Sequence, residues 1–271
     1  MLLNDFRGKA VLVTGGTKGI GLTTGLAFGR EGAHVYLTHK WGSADEGEIC
    51  RKFEEAGAPR PSIVEADAAV DEDTVRLLEV IKEDHAGIEV FISNVSFAQV
   101  IKGMDDYKKR SFLTSVKYTT WPFVGYIKQM KKIFDRYPRY ALNISSDGPD
   151  NYYPGYDFVA ASKSLVDLFC RYLTIHLFDE DIRMNSLRTR PVSTESLVAT
   201  FGTEYEPFLR KYYSDDYFVE PEQVGDAALA LCSGLMDSVS GQIIMLDRGV
   251  AFCDNLMRLF EDREQYGLTH T

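Results

Sequence analysis

The sequence predicts an α/β fold, a doubly wound sheet of seven parallel strands with helices on both faces. Three observations lead there. Short apolar runs alternate with longer amphipathic stretches along the 271 residues. The runs are almost continuously apolar, as strands covered on both faces must be. A glycine-rich string follows the first run directly, where a strand-to-helix turn belongs. A chain of this length suits one large domain with a substantial core. Residues 1–271 therefore read as a single unit without linker, repeat or low-complexity segment.

The elements follow in order. Ala10-Val-Leu-Val-Thr14 is the first strand, and a helix at about 20–30 succeeds its glycine turn. His34-Val-Tyr-Leu-Thr38 precedes a helix at about 44–56, and Ser62-Ile-Val-Glu65 one at 71–84. Glu89-Val-Phe-Ile92 leads to a long helix read over 105–135. Tyr140-Ala-Leu-Asn-Ile144 leads to a helix over 156–177. Arg183-Met-Asn-Ser-Leu187, a helix at 221–232 and Gln242-Ile-Ile-Met-Leu246 complete the series. In such a sheet, ligands bind at the carboxyl ends of the strands.

Composition narrows the function. Apolar and charged contents of 45% and 26% are those of a globular protein, and the formal charge is −10. That charge argues against nucleic acid or an anionic membrane surface as a partner. Cys50, Cys170, Cys232 and Cys253 are scattered without a Cys-x-x-Cys. No metal site or disulfide framework is expected, and a reducing cytoplasm is the expected compartment. The three-residue apolar run before Asn4 is too short for a signal peptide or membrane span.

The first turn reads Thr14-Gly15-Gly16-Thr17-Lys18-Gly19-Ile20-Gly21. Between a strand and a helix, such glycines let backbone approach a pyrophosphate at the helix N-terminus. Asp67 and Ala68 follow the third strand, and Ser93-Asn94-Val95-Ser96 the fourth. Asn143-Ile-Ser-Ser146 ends the fifth, and Lys163 lies on the next helix. Pro191-Val192-Ser193-Thr194 follows the sixth, and Asp247-Arg248-Gly249 the seventh. From about residue 7 to 250, this order resembles the short-chain dehydrogenase/reductase family. The resemblance implies a Rossmann-type fold with a nicotinamide cofactor. Its expected contacts are Gly15, Thr17, Lys18, Gly19, Ile20, Gly21, Lys40, Asp67, Ala68, Asn94, Lys163, Pro191, Val192 and Thr194. Leu37-Thr38-His39-Lys40 ends the second strand without an acid to hold a ribose hydroxyl. Lys18 and Lys40 could pair with a phosphate dianion, so NADPH is expected over NADH.

Common family members place a tyrosine four residues before the lysine, and Val159 stands there instead. An asparagine usual on the preceding helix is replaced at about Ser115. Tyr156, seven residues before Lys163, resembles the Tyr-x6-Lys motif of bacterial enoyl-acyl-carrier-protein reductases. The Gly148-to-Tyr156 approach and Ser93-Asn-Val-Ser-Phe-Ala98 are similar to theirs. On one helix the two registers differ by nearly a turn, roughly 10 Å against 6 Å from the lysine. Reduction of an enoyl thioester develops charge on an oxygen several bonds from the hydride acceptor, which a displaced phenol suits. Tyr156, Lys163 and Ser146 are the expected catalytic set. Packing is the plain alternative for Tyr156, beside Tyr152 and Tyr153, and turn capping for Ser145 and Ser146.

The resemblance implies a substrate lid over residues 193–218, whose Phe201, Tyr205, Phe208, Tyr212, Tyr213, Tyr217 and Phe218 suit an apolar acyl or aryl group or a small core of their own. Arg210 and Lys211 resemble a docking pair for an acyl carrier protein, against the plainer reading of a solvated face. Arg188 and Arg190 point either to the cofactor or to an anionic substrate. The resemblance implies a homodimer or homotetramer built on the long helices over 105–135 and 156–177, and a tail at about 254–271 is read as docking on a neighbour. Three functions stay open: an enoyl-thioester reductase, an atypical carbonyl reductase of a polyketide or aromatic intermediate, and a non-catalytic binding subunit.

Overall fold

A computed structural model describes residues 4–40, 44–213 and 218–268. In the amino-terminal half, β1 (Ala10–Val13), α1 (Gly19–Arg30), β2 (His34–His39), α2 (Glu46–Glu55), β3 (Ser62–Glu65), α3 (Asp71–Asp84) and β4 (Ile88–Ser93) alternate. Then come α4 (Lys109–Ser115), α5 (Trp121–Phe134), β5 (Tyr140–Ser146), α6 (Asp157–His176) and β6 (Arg183–Thr189). The chain continues through α7 (Glu195–Phe201), α8 (Tyr205–Tyr212), α9 (Pro221–Leu231), β7 (Ile243–Leu246) and α10 (Asn255–Glu261).

The sheet runs β3-β2-β1-β4-β5-β6-β7, with every pairing parallel. Its winding reverses between β1 and β4, which opens a crevice at the carboxyl ends. Alternation along each strand builds two cores. Val11, Val13, Val35 and Leu37 meet Phe28 of α1, Phe53 of α2 and Val224 of α9. Leu12, Tyr36 and Phe91 meet Leu77 of α3, Phe123 and Tyr126 of α5, and Val166 of α6.

Three differences from the sequence reading matter for the site. The expected helix over 105–135 is interrupted: a short 3₁₀ turn, Met104–Asp106, precedes α4, and a π-turn, Val116–Thr120, separates α4 from α5. The wide turn inserts an extra residue, and the buried Thr119 accepts a hydrogen bond from Phe97 N at 3.1 Å. Strands β5 and β6 run further than expected, pairing Ser145 with Arg188 and Ser146 with Thr189. Tyr156 is the N-cap of α6 (φ −94°, ψ 8°), one residue before the helix begins, and its carbonyl accepts from Ala160 N at 2.8 Å.

The lid, read over 193–218, is a helix pair, α7 and α8, closed at its base by a parallel bridge between Val192 and Val219. Tyr217 lies outside the described residues. The tail packs on this lid: Tyr213 donates to Asn255 Oδ1 at 3.1 Å, and the Arg258 guanidinium lies 3.9 Å from the Tyr213 ring centre. Among the described residues no helix is long and apolar enough to cross a membrane.

Candidate active site

At the end of β1 the chain turns through Gly15 (φ +61°) and Gly19 (φ +47°), a region open to glycine. Lys18 caps α1 with backbone only, so the first amides of that helix keep their donors. The amide of Asn94 donates to the Thr14 and Gly15 carbonyls at 3.1 and 3.0 Å and fixes the turn. A methyl group on Gly21 would collide with the Gly15 carbonyl oxygen and lie 2.7 Å from Asn94 Nδ2. A methyl on Gly19 would lie 3.3 Å from the Thr194 methyl, so the loop after β6 closes over the same turn. Gly15, Thr17, Lys18, Gly19, Ile20, Gly21, Asn94 and Thr194 thus meet at one edge, with Pro191 and Val192 adjoining. This bare amide cradle fits a dinucleotide pyrophosphate.

The two lysines expected to face a phosphate are already engaged. Lys18 pairs with Glu195 of the lid at 3.1 Å, with both groups exposed. Lys40 Nζ lies 2.6 Å from Asp67 Oδ2 and 2.5 Å from the Tyr118 hydroxyl. Tyr118 also donates to Asp67 at 3.1 Å. Burial opposes ionisation of Asp67, yet donors from Lys40, Ala69 N and Tyr118 outweigh it and hold its pKa below the usual range. Asp67 is therefore tied between Lys40 and Tyr118 beside the buried Ala68, a network the sequence reading missed. Tyr118 sits on the π-turn, which no spacing signal marks.

At the other end, Tyr156 donates to Ser146 Oγ at 3.3 Å. The phenol ring lies against Gly148 and packs edge-on to Tyr153 at 6.0 Å and against Phe201 of α7 at 5.9 Å. Burial, offset by the Ser146 hydrogen bond, raises the Tyr156 pKa and keeps its proton on. Lys163 is buried and donates to the Ile144 carbonyl at 2.5 Å. Burial lowers its pKa to about 8, against the pull of Asp167. Val159 is a core residue at 2% exposure and contributes no polar group. Ser115 Oγ is buried without a hydrogen-bond partner among the described residues.

Sequence reasoning missed Asp147, a buried carboxylate next to Ser146. It accepts from the Tyr153 hydroxyl at 2.8 Å and from Asn151 at 3.1 Å, and burial raises its pKa. Arg190 Nε stands 3.6 Å from it. Arg188 binds Asp167 and Asp150. Both arginines, expected to face a cofactor or an anionic substrate, are held by the chain's own carboxylates.

A family model described as "Enoyl-(Acyl carrier protein) reductase" matches residues 15–251. The chain belongs to this family, a branch of the short-chain dehydrogenase/reductases. Its relatives span several redox reactions. It is 26% identical to 3beta-hydroxysteroid dehydrogenase 1 of Eggerthella lenta, over 92% of this chain and 96% of the relative. It is 22% identical to the enoyl-[acyl-carrier-protein] reductase [NADH] FabI of Aquifex aeolicus, over 89% and 91%. It is 24% identical to 1-cyclohexenylcarbonyl-CoA reductase of Streptomyces collinus, over 90% and 88%. Among solved structures, 7 alpha-hydroxysteroid dehydrogenase complexed with NADH and 7-oxo glycochenodeoxycholic acid has a TM-score of 0.79 at 20% identity, covering 90% of this chain and 94% of that one. A Burkholderia cenocepacia short-chain dehydrogenase in complex with NADP also has a TM-score of 0.79, at 18% identity, covering 92% and 100%.

This short-chain dehydrogenase/reductase is an NAD(P)H-dependent oxidoreductase by family. Its lid brings Phe201 and Tyr205 into a stack at 4.7 Å beside Tyr156. Arg210 does not stand out as a docking cation: it binds Glu206 at 2.9 Å and covers the Phe218 ring at 4.3 Å. Lys211 is exposed.

Proposed function

We propose that this chain reduces an enoyl thioester, held on CoA or an acyl carrier protein, with NADPH. The observation that carries the reading is the relocated phenol: Tyr156 reaches Ser146 at 3.3 Å, while the usual tyrosine place is a buried valine. Bound NADPH would supply the hydride to the conjugated carbon. The Tyr156 hydroxyl, kept protonated by burial, donates to the thioester oxygen as it becomes negative. Ser146 orients that hydroxyl and is a second donor. Lys163 holds the ribose hydroxyls and favours donation by its charge. Phe201, Tyr153 and Tyr205 exclude water from an apolar acyl group. NADPH is favoured by the lack of an acid at the end of β2, with Lys40 exchanging Asp67 for the phosphate.

The test is Tyr156→Phe. On an enoyl thioester, kcat is expected to fall by about 10²- to 10³-fold, with NADPH affinity unchanged. Undiminished turnover removes Tyr156 from the mechanism. The likeness to a 3beta-hydroxysteroid dehydrogenase favours a second reading, a carbonyl reductase using Ser146. Ketone-dependent NADPH oxidation without enoyl reduction would select it. We also propose a homo-oligomer, built on the exposed apolar side chains Leu113, Trp121, Phe169, Tyr172 and Ile175 of α4, α5 and α6.

A further inference from the structure

Asp167 lies four residues beyond Lys163 on α6, on the same helix face and about 6 Å further along the axis. Both side chains are buried, Asp167 at 1% exposure. Its carboxylate accepts from Ser186 Oγ, from Arg188 Nε at 2.7 Å and from Arg188 Nη2 at 2.7 Å. Asn143 in turn donates to Ser186 at 3.0 Å. The remaining arm of the same guanidinium, Arg188 Nη1, binds Asp150 in the loop that carries Tyr156. One side chain of β6 therefore connects the helix that bears Lys163 to the loop that bears the phenol.

Stability alone is a weak account of this arrangement. Removing two charges from water costs several kcal/mol per ion, and an apolar pair of similar volume often serves a fold as well. Two carboxylates, Asp167 and Asp150, share the one Arg188 guanidinium, so the set keeps a net negative charge whose buried member lies on the face of α6 that carries Lys163. The charged and titratable groups around this level are Asp167 and Cys170 on α6, Arg188 on β6, and Asp147, Asp150, Tyr153 and Tyr156 after β5, with Arg190 beside Asp147. The segment packed on α6 from α4 and the π-turn offers Ser115, Thr119 and Thr120 as its buried polar residues, none of which titrates in this range. Burial drives the Lys163 pKa down to about 8, and Asp167 is the charge that opposes it.

We propose that Asp167, held in place by Arg188 and Ser186, is a positioning residue whose fixed charge on the same face of α6 keeps Lys163 as an ammonium. The proposal rests on the reading of Lys163 as the lysine that supports the phenol and the cofactor. Its test needs a measurement of Lys163 that does not depend on substrate. ¹³C NMR titration of lysine-labelled protein serves, with the Lys163 signal assigned by its loss in Lys163→Arg. Asp167→Asn is expected to move the Lys163 midpoint down by about one pH unit. Arg188→Gln leaves the carboxylate less compensated and is expected to move it up. The alkaline limb of kcat follows in the same two directions. A merely structural pair lowers the melting temperature of both variants and leaves the midpoint in place, and an unmoved midpoint overturns the proposal. If Asp167→Asn does not fold, the upward shift in Arg188→Gln decides alone, and its absence is fatal. Opposite shifts in a protein that reduces no enoyl thioester sustain the coupling and reject the proposed reaction instead.

Discussion

The Tyr156 ring lies across Gly148, and a methyl group at residue 148 would come within 2.7 Å of Tyr156 Cε1. The absence of a side chain at 148 is therefore what lets the phenol reach Ser146. Gly148→Ala is expected to displace the ring and lower kcat by at least about tenfold, with cofactor affinity unchanged. Steady-state kinetics beside a cofactor titration checks this. Equal kcat in the variant would show that the phenol's placement does not limit the reaction.

Gly21 makes the corresponding contact at the other end of the site. Its neighbours are backbone and the Asn94 amide, which cannot yield as a flexible side chain does. Gly21→Ala is expected to weaken NADPH binding by more than about tenfold and to lower the melting temperature. Fluorescence titration and calorimetry read the two effects.

Lys40 offers a third test, because its ammonium is shared between Asp67 and Tyr118. Lys40→Ala is expected to weaken NADPH by about tenfold while leaving NADH little changed. Equal losses for the two cofactors would show that Lys40 shapes the adenine end without contacting the 2′-phosphate.

Much of this was legible from the sequence because it is local. Continuous apolar runs marked the strands, and a glycine string marked the first turn. What escaped was held by partners distant in the chain. Arg188 finds Asp167 and Asp150, and Lys40 finds Asp67 and Tyr118, through sheet order and not through any repeat. The π-turn at 116–120 was hidden as well. One extra residue in a helical turn leaves the apolar periodicity almost intact while rotating every side chain before it.

Far from the site, His34 Nδ1 lies 2.9 Å from His85 Nε2, and His34 Nε2 lies 3.0 Å from Ser62 Oγ. Burial, then His85, lowers the His34 pKa below its ordinary 6.5, although Asp84 opposes both. The unfolded chain takes up this proton first as pH falls through about 6.5, so stability declines from there toward the lower folded pKa. The melting temperature is expected to fall as the pH drops below His34's ordinary 6.5, and His34→Gln to flatten that fall. An equally steep drop in the variant would assign the effect to other groups.

The bridge between Val192 and Val219 has a consequence for how this protein could change. It ties the two ends of the lid to each other, so the excursion between them is a closed loop. Lengthening a closed loop costs little, about 0.6 kcal/mol for each doubling. Changes inside the lid are therefore expected to spare the strands and to be felt where the lid touches the site: at Lys18 through Glu195, at Gly19 through Thr194, and at Tyr156 through Phe201.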